Sequence, residues 1–85
     1  MPRVRYFAQA REAAGTGGEV VPGTTVAEVL AAAVARHGPG LAAVLATSAV
    51  WLDGEPADPS DPVAAGAEVA VLPPVSGGFV PLVQA

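Results

Sequence analysis

Glu68-Val69-Ala70-Val71-Leu72-Pro73-Pro74-Val75-Ser76-Gly77-Gly78 is the stretch on which the fold turns. Its first five residues are β-prone, with Val69 and Val71 on one face of a strand and Glu68, Ala70 and Leu72 on the other. Pro73-Pro74 ends the strand, because proline cannot donate to a ladder. Beyond the prolines the backbone is held extended, since proline restricts both its own φ and the residue before it. Ser76, Gly77 and Gly78 then carry almost no side-chain bulk, so the segment can enter a narrow channel and let backbone approach a ligand. The same composition also suits a plain linker to a frayed terminus. A domain of residues 1–75 followed by a flexible tail of residues 76–85 is the expected organisation.

Working outward, Arg3-Val4-Arg5-Tyr6-Phe7-Ala8 alternates and predicts a first strand. Val4, Tyr6 and Ala8 share one face; Arg3, Arg5 and Phe7 share the other, which the arginines mark as solvent-facing. If this strand neighbours the last one, Phe7 and Leu72 lie side by side on the outer face and form an apolar docking surface. Gln9 to Ala14 predicts a short helical turn ended by Gly15, Gly17-Gly18 a turn, and Glu19-Val20-Val21 a second strand closed by Pro22-Gly23.

Thr25-Val26-Ala27-Glu28 is a capping box that opens the main helix. Val26, Val29, Leu30, Ala33, Val34 and His37 recur at helical spacing as one apolar stripe. Gly38 suits the helix end and Pro39 forbids continuation. Gly40 to Leu45 predicts another helical turn, and Ala49-Val50-Trp51-Leu52 a third strand ended by the tight-turn pair Asp53-Gly54. Glu55 to Asp61 reads as loop. The order β-β-α-β-β, with one main helix packed on one face of a mixed sheet, is an α+β layer.

Composition excludes several functions. The chain has 85 residues, enough for one modest core. It lacks cysteine, so disulfides, zinc thiolates and a cysteine nucleophile are out. Four basic residues, all arginine, stand against eight acidic ones, which argues against nucleic acid. No apolar run approaches the roughly 20 residues of a membrane span, and no signal peptide is evident, so a cytoplasmic location with no membrane partner is expected. His37, the single histidine, sits at a helix C-terminus and reads as a surface or capping residue. Asp53, Asp58 and Asp61 match no calcium loop and read as turn formers, so no metal site is expected. Gly15-Thr16-Gly17-Gly18 lacks the lysine of a phosphate loop. The domain shows no catalytic machinery of its own.

Val4-Arg5-Tyr6-Phe7-Ala8 with Arg11-Glu12, Thr25-Val26-Ala27-Glu28-Val29-Leu30, Gly66-Ala67-Glu68-Val69 and Leu72 to Gly78 together resemble the MoaD/ThiS family of ubiquitin-like sulfur carriers. The likeness spans residues 3 to 78, and its Leu-Pro-Pro-Val-Ser-Gly-Gly ending is nearer the MoaD branch than the ThiS branch. The resemblance implies a β-grasp (ubiquitin-like) fold. It implies that the carboxylate of Gly78, next to Gly77, is adenylated with ATP by an E1-like enzyme and converted to a thiocarboxylate. The protein would bind no cofactor itself. The tail would then insert into a MoaE-like large subunit and donate sulfur to molybdopterin synthesis. Phe7, Leu72, Pro73, Pro74, Val75 and Ser76, with Arg11 in a polar role, would contact these partners. Sulfur carriage for another product (cysteine, thiamine or a secondary metabolite) and a non-carrier modifier module are the alternatives.

One departure from the family pattern stands out. Phe79-Val80-Pro81-Leu82-Val83-Gln84-Ala85 come after the double glycine. A peptide bond at Gly78 leaves no carboxylate to activate. The sequence therefore reads as a precursor awaiting a processing protease, by analogy of the JAMM type, or as a relative that carries no sulfur.

Overall fold

In the computed structural model, which describes residues 1–74, eight elements succeed one another. They are β1 (Arg3–Tyr6), α1 (Ala8–Ala14), β2 (Gly18–Val20), α2 (Val26–His37), α3 (Pro39–Leu45), β3 (Ala49–Leu52), β4 (Glu55–Pro56) and β5 (Glu68–Leu72). The strands form one sheet in the order β2-β1-β5-β3-β4. β1 and β5 are parallel neighbours at its centre, with Val4 opposite Val69 and Tyr6 opposite Val71. β2 and β3 flank them antiparallel. This mixed sheet with helices packed against it is an α+β β-grasp fold.

The alternation read in β1 and β5 decides which face is inside. Val4, Tyr6, Val69 and Val71 are buried, whereas Arg3, Arg5 and Phe7 are exposed. Two expected placements change. β1 ends at Tyr6, and Ala8, expected beside Val4 and Tyr6, is exposed with φ 50° at the start of α1. The chain turns off the sheet there, so the period of two cannot be carried past Phe7. Glu55-Pro56, expected as loop, pairs with β3, Trp51 facing Pro56 and Leu52 facing Glu55. Asp53 (φ 49°) and Gly54 (φ 86°) supply the two left-handed residues of a tight hairpin. Pro56 is tolerated because β4 is an edge strand.

α2 starts at its predicted cap. Thr25 Oγ1 accepts a hydrogen bond from the Glu28 amide at 3.2 Å. Glu28 reaches one residue further back than a standard box and accepts from the Thr24 amide and hydroxyl, each at 2.8 Å. The backbone bond from Thr24, then its hydroxyl, then the Thr25 amide hold the Glu28 carboxyl below its ordinary value. Gly38 (φ 91°) ends α2, and Pro39 opens α3 at the position where its missing N–H costs nothing.

The buried stripe of α2 is rotated from the sequence reading. Val26, Val29 and Ala33 are buried, while Leu30 and Val34 are half-buried and turned toward α3. Leu41 of α3 is fully buried and completes the core instead.

Gly23 allows the turn into α2 to lie close against the helix. Its φ is 151°, and a Cβ there would stand 2.7 Å from both the amide nitrogen and Cγ2 of Val29. Gly23→Ala is expected to destabilise by roughly 1–3 kcal/mol, from backbone strain and that clash, as a thermal melt would record.

Candidate functional site

The site is built on the outer face of the sheet, where β5 ends. Tyr6 pairs with Val71, and the Phe7 amide donates to the Val71 carbonyl at 3.3 Å, so Phe7 lies next to Leu72 as the ladder continues. Antiparallel pairing sets Ala49 opposite Leu72 and Trp51 opposite Ala70. Directly opposed residues share a face. One outward surface therefore carries Phe7, Leu72, Ala49, Ala70, Trp51 and Pro56 across β1, β5, β3 and β4. Phe7 is 37% exposed and Trp51 36%. Leu72, expected to stand free, is half-buried among these neighbours.

Charge borders the patch on one side. The Arg5 guanidinium lies 5.4 Å from the centre of the Phe7 ring, a cation–π contact. The same Arg5 pairs with Glu68 at 3.4 Å, both half-exposed, so the pair contributes little stability and mostly orients Arg5. Arg11 stands one turn along α1, its amide bonded to the Phe7 carbonyl at 3.4 Å. Its guanidinium lies near Gly17, away from the Leu72 row.

Past Leu72 the chain leaves along the helices. Pro73 is half-buried and Pro74 exposed, in a cleft shared with Gln9 of α1 and Ala43, Val44 and Thr47 of α3. Val75, Ser76, Gly77 and Gly78, and with them the expected boundary between domain and tail, lie outside the described residues, as does the extension from Phe79 to Ala85.

Trp51 is the site residue that the sequence reading missed. The signal was present: alternation along Ala49-Val50-Trp51-Leu52 sets Trp51 on the face opposite Val50 and Leu52, by the same logic that singled out Phe7. What could not be read was that β3 lies next to β5, which brings Trp51 into the Phe7–Leu72 patch.

His37 is not simply a surface residue. Its Nε2 donates to Glu19 Oε2 at 2.5 Å, and its ring meets Tyr6 edge-on at 6.0 Å between centroids. Tyr6 Oη donates to the same Glu19 oxygen at 2.6 Å, and Arg36 to the other at 2.9 Å. This cluster ties β2 to the end of α2. Burial pushes the Glu19 carboxyl up, but hydrogen bonds from Tyr6, His37 and Arg36 outweigh it, and the carboxyl titrates below the ordinary glutamate value. Burial, then the hydrogen bond to Glu19 and its charge, push the Tyr6 phenol far above its usual value.

A depressed carboxyl stabilises the fold above its unfolded pKa, and that contribution is lost as pH falls through the folded pKa. Stability should therefore drop on acidification below the ordinary glutamate range, and Glu19→Gln should remove part of that drop. Urea unfolding as a function of pH measures both. An unchanged slope in the variant would assign the acid sensitivity elsewhere.

Among the described residues no three His, Asp or Glu side chains are grouped to hold a metal ion, and no helix is long and apolar enough to cross a membrane.

The chain is similar to known proteins over most of its length. The chain is 40% identical over 81 residues to the molybdopterin synthase sulfur carrier subunit of Chlamydomonas reinhardtii, covering 89% of this chain and 96% of that protein. Small archaeal modifier protein 1 (SAMP1) of Haloferax volcanii superposes with a TM-score of 0.78 at 35% identity, covering 91% of this chain and 98% of the other. The modifier protein 1 of Methanosarcina acetivorans does so with a TM-score of 0.82 at 26% identity, covering 91% and 95%. The ThiS family model matches residues 4–78, from the second residue of β1 to the second glycine of the tail. The chain belongs to the ThiS family and is a sulfur carrier of the MoaD/ThiS type.

Proposed function

We propose that this protein is the sulfur-carrying small subunit of a molybdopterin-synthase-like pair, loaded at the carboxylate of Gly78. The observation that carries the reading is the 40% identity to a molybdopterin synthase sulfur carrier subunit across 96% of that protein, together with a family match that stops at Gly78. The chemistry is dictated by the chain end. A carboxylate is a poor acyl donor, so an E1-like partner first joins it to AMP from ATP, releasing pyrophosphate. The terminal sulfur of a persulfide then attacks the acyl carbon and displaces AMP. A thiol cleaves the resulting acyl disulfide, leaving a thiocarboxylate on Gly78 and a disulfide on the donor side. The sulfur rides on the backbone terminus, which is why a chain without cysteine can carry it. The domain contributes recognition rather than catalysis: Phe7, Trp51 and Leu72 dock on the activating enzyme and on a MoaE-like large subunit, with Arg11 at the rim. Pro73 and Pro74 direct the tail toward the partner's active site. Val75 and Ser76 contact the partner on the way in.

The seven residues after Gly78 must then be removed first, by a protease cutting between Gly78 and Phe79; a JAMM-type zinc metalloprotease is the candidate class. The expected result is that a chain ending at Gly78, given ATP, an E1-like enzyme and a persulfide donor, gains the mass of an oxygen-to-sulfur exchange, and the 85-residue chain does not. Activation of the uncut chain, or full sulfur transfer by Gly78→Ala, would overturn the reading.

The 35% identity to a small archaeal modifier protein favours a second reading. The same activated Gly78 would be joined to amines of other proteins. Cell lysate supplied with the trimmed chain and ATP separates the two: covalent adducts support the modifier, and sulfur transfer to a pterin precursor supports the carrier.

A further inference from the structure

We propose that the groove between α2 and α3 is the seat for this chain's own Phe79–Val83 segment, which docks there in cis. The groove is lined by Leu30, Ala31, Val34, Ala42, Leu45 and Ala46, with no charged side chain among them. Leu30 and Val34 are the two aliphatic stripe residues that the core leaves half-buried, so the surface is apolar on both helices. It is on the helix side of the molecule, and only its Leu30 end adjoins a cleft that Ala49, Trp51 and Pro56 of the outer face also line.

The composition of the tail and the direction in which the chain leaves the domain identify the occupant. Eleven residues lie beyond Pro74, none with a charged side chain, and five of them, Val75, Phe79, Val80, Leu82 and Val83, are large and apolar, four of these after Gly78. Pro73 and Pro74 share their cleft with Ala43, Val44 and Thr47 of α3, which starts the tail on the helix side rather than on the outer sheet face. Five extended residues from Pro74 to Phe79 span up to about 17 Å. A helix with its side chains is roughly 10–12 Å across. Phe79 can therefore clear α3, whose exposed residues Pro39, Gly40 and Ala43 are all small, and reach Leu30, Val34 and Leu45. Tethering by so short a link supplies an effective concentration on the order of millimolar, so weak intrinsic affinity is enough for substantial occupancy. This inference does not depend on sulfur carriage.

The test is methyl and amide NMR on the 85-residue chain and on a chain ending at Gly78, each shown to be monomeric by sedimentation. Removal of Phe79–Ala85 should shift the methyls of Leu30, Val34 and Leu45 while those of Val4 and Val69 stay. A Phe79→Ser/Leu82→Ser double variant of the full chain should move the same methyls toward the truncated positions. A synthetic Phe79–Ala85 peptide added to the truncated chain should move them back, saturating only near millimolar concentration. The idea fails if truncation leaves the Leu30, Val34 and Leu45 methyls unmoved. It also fails if the shifts fall on Phe7 and Trp51 instead, or if they scale with protein concentration, which would assign the groove to a second copy.

Discussion

Leu41→Ala is expected to lower the unfolding free energy by about 3 kcal/mol, a large share of the roughly 5–15 kcal/mol that holds a typical domain. Leu41 is fully buried, although α3 is only seven residues long and its flanks are exposed. A helix this short has little stability of its own and persists through packing. Leu41 is its one fully buried side chain, so truncation leaves a cavity and loosens the element that carries it. Leu30→Ala makes the comparison informative. Leu30 falls on the sequence-derived stripe but is half-buried, so its loss should cost only about 1 kcal/mol from reduced apolar burial. Urea denaturation of both variants with unchanged m-values would rank them. Equal costs, or the reverse order, would mean that α2 is rotated relative to the arrangement described here.

Phe7→Ala and Trp51→Ala are each expected to weaken binding to the proposed E1-like or MoaE-like partner by about 2 kcal/mol, close to thirtyfold in Kd. Both rings are large and exposed by about a third; Trp51 lies within β3 and Phe7 is fixed just past β1 by its amide's bond to Val71, so little entropy is lost when a partner covers them. Phe7 is further oriented by the Arg5 guanidinium. Neither ring belongs to the core, so circular dichroism and the melting transition should remain near wild type. Val20, also exposed but on β2 and facing Arg3, serves as the control, and Val20→Ala should change affinity little. Isothermal titration with the partner decides. A Trp51 variant that binds like wild type would confine the docking surface to β1 and β5, and an unfolded Phe7 variant would make that residue structural.

Local chemistry in the chain was enough for the elements whose causes lie within a few residues. Thr25 and Glu28 announce the start of α2, Gly38-Pro39 its end, and Asp53-Gly54 a tight turn, because caps and turns are satisfied by side chains and dihedrals close in sequence. The alternation in β1 and β5 likewise sorts Val4, Tyr6, Val69 and Val71 inward from Phe7 and Leu72 outward, since successive strand residues point to opposite faces. The conditional step, that Phe7 and Leu72 meet if their strands adjoin, needed a pairing between residues more than sixty apart, and no local rule supplies that register. The same is true of Trp51, which joins the patch only because β3 pairs with β5 on the other side. β4 escaped notice because two residues with a proline have no strand propensity, and its pairing comes from the hairpin turn and a free sheet edge. Leu30 and Leu41 exchanged roles for a similar reason: helical periodicity defines a stripe about a hundred degrees wide, and the position of α3 against α2 selects which part of it the core takes. Residue chemistry thus specified which groups want to be inside, capped or turned. Long-range packing chose their neighbours, because contacts between distant segments are settled by how whole surfaces fit.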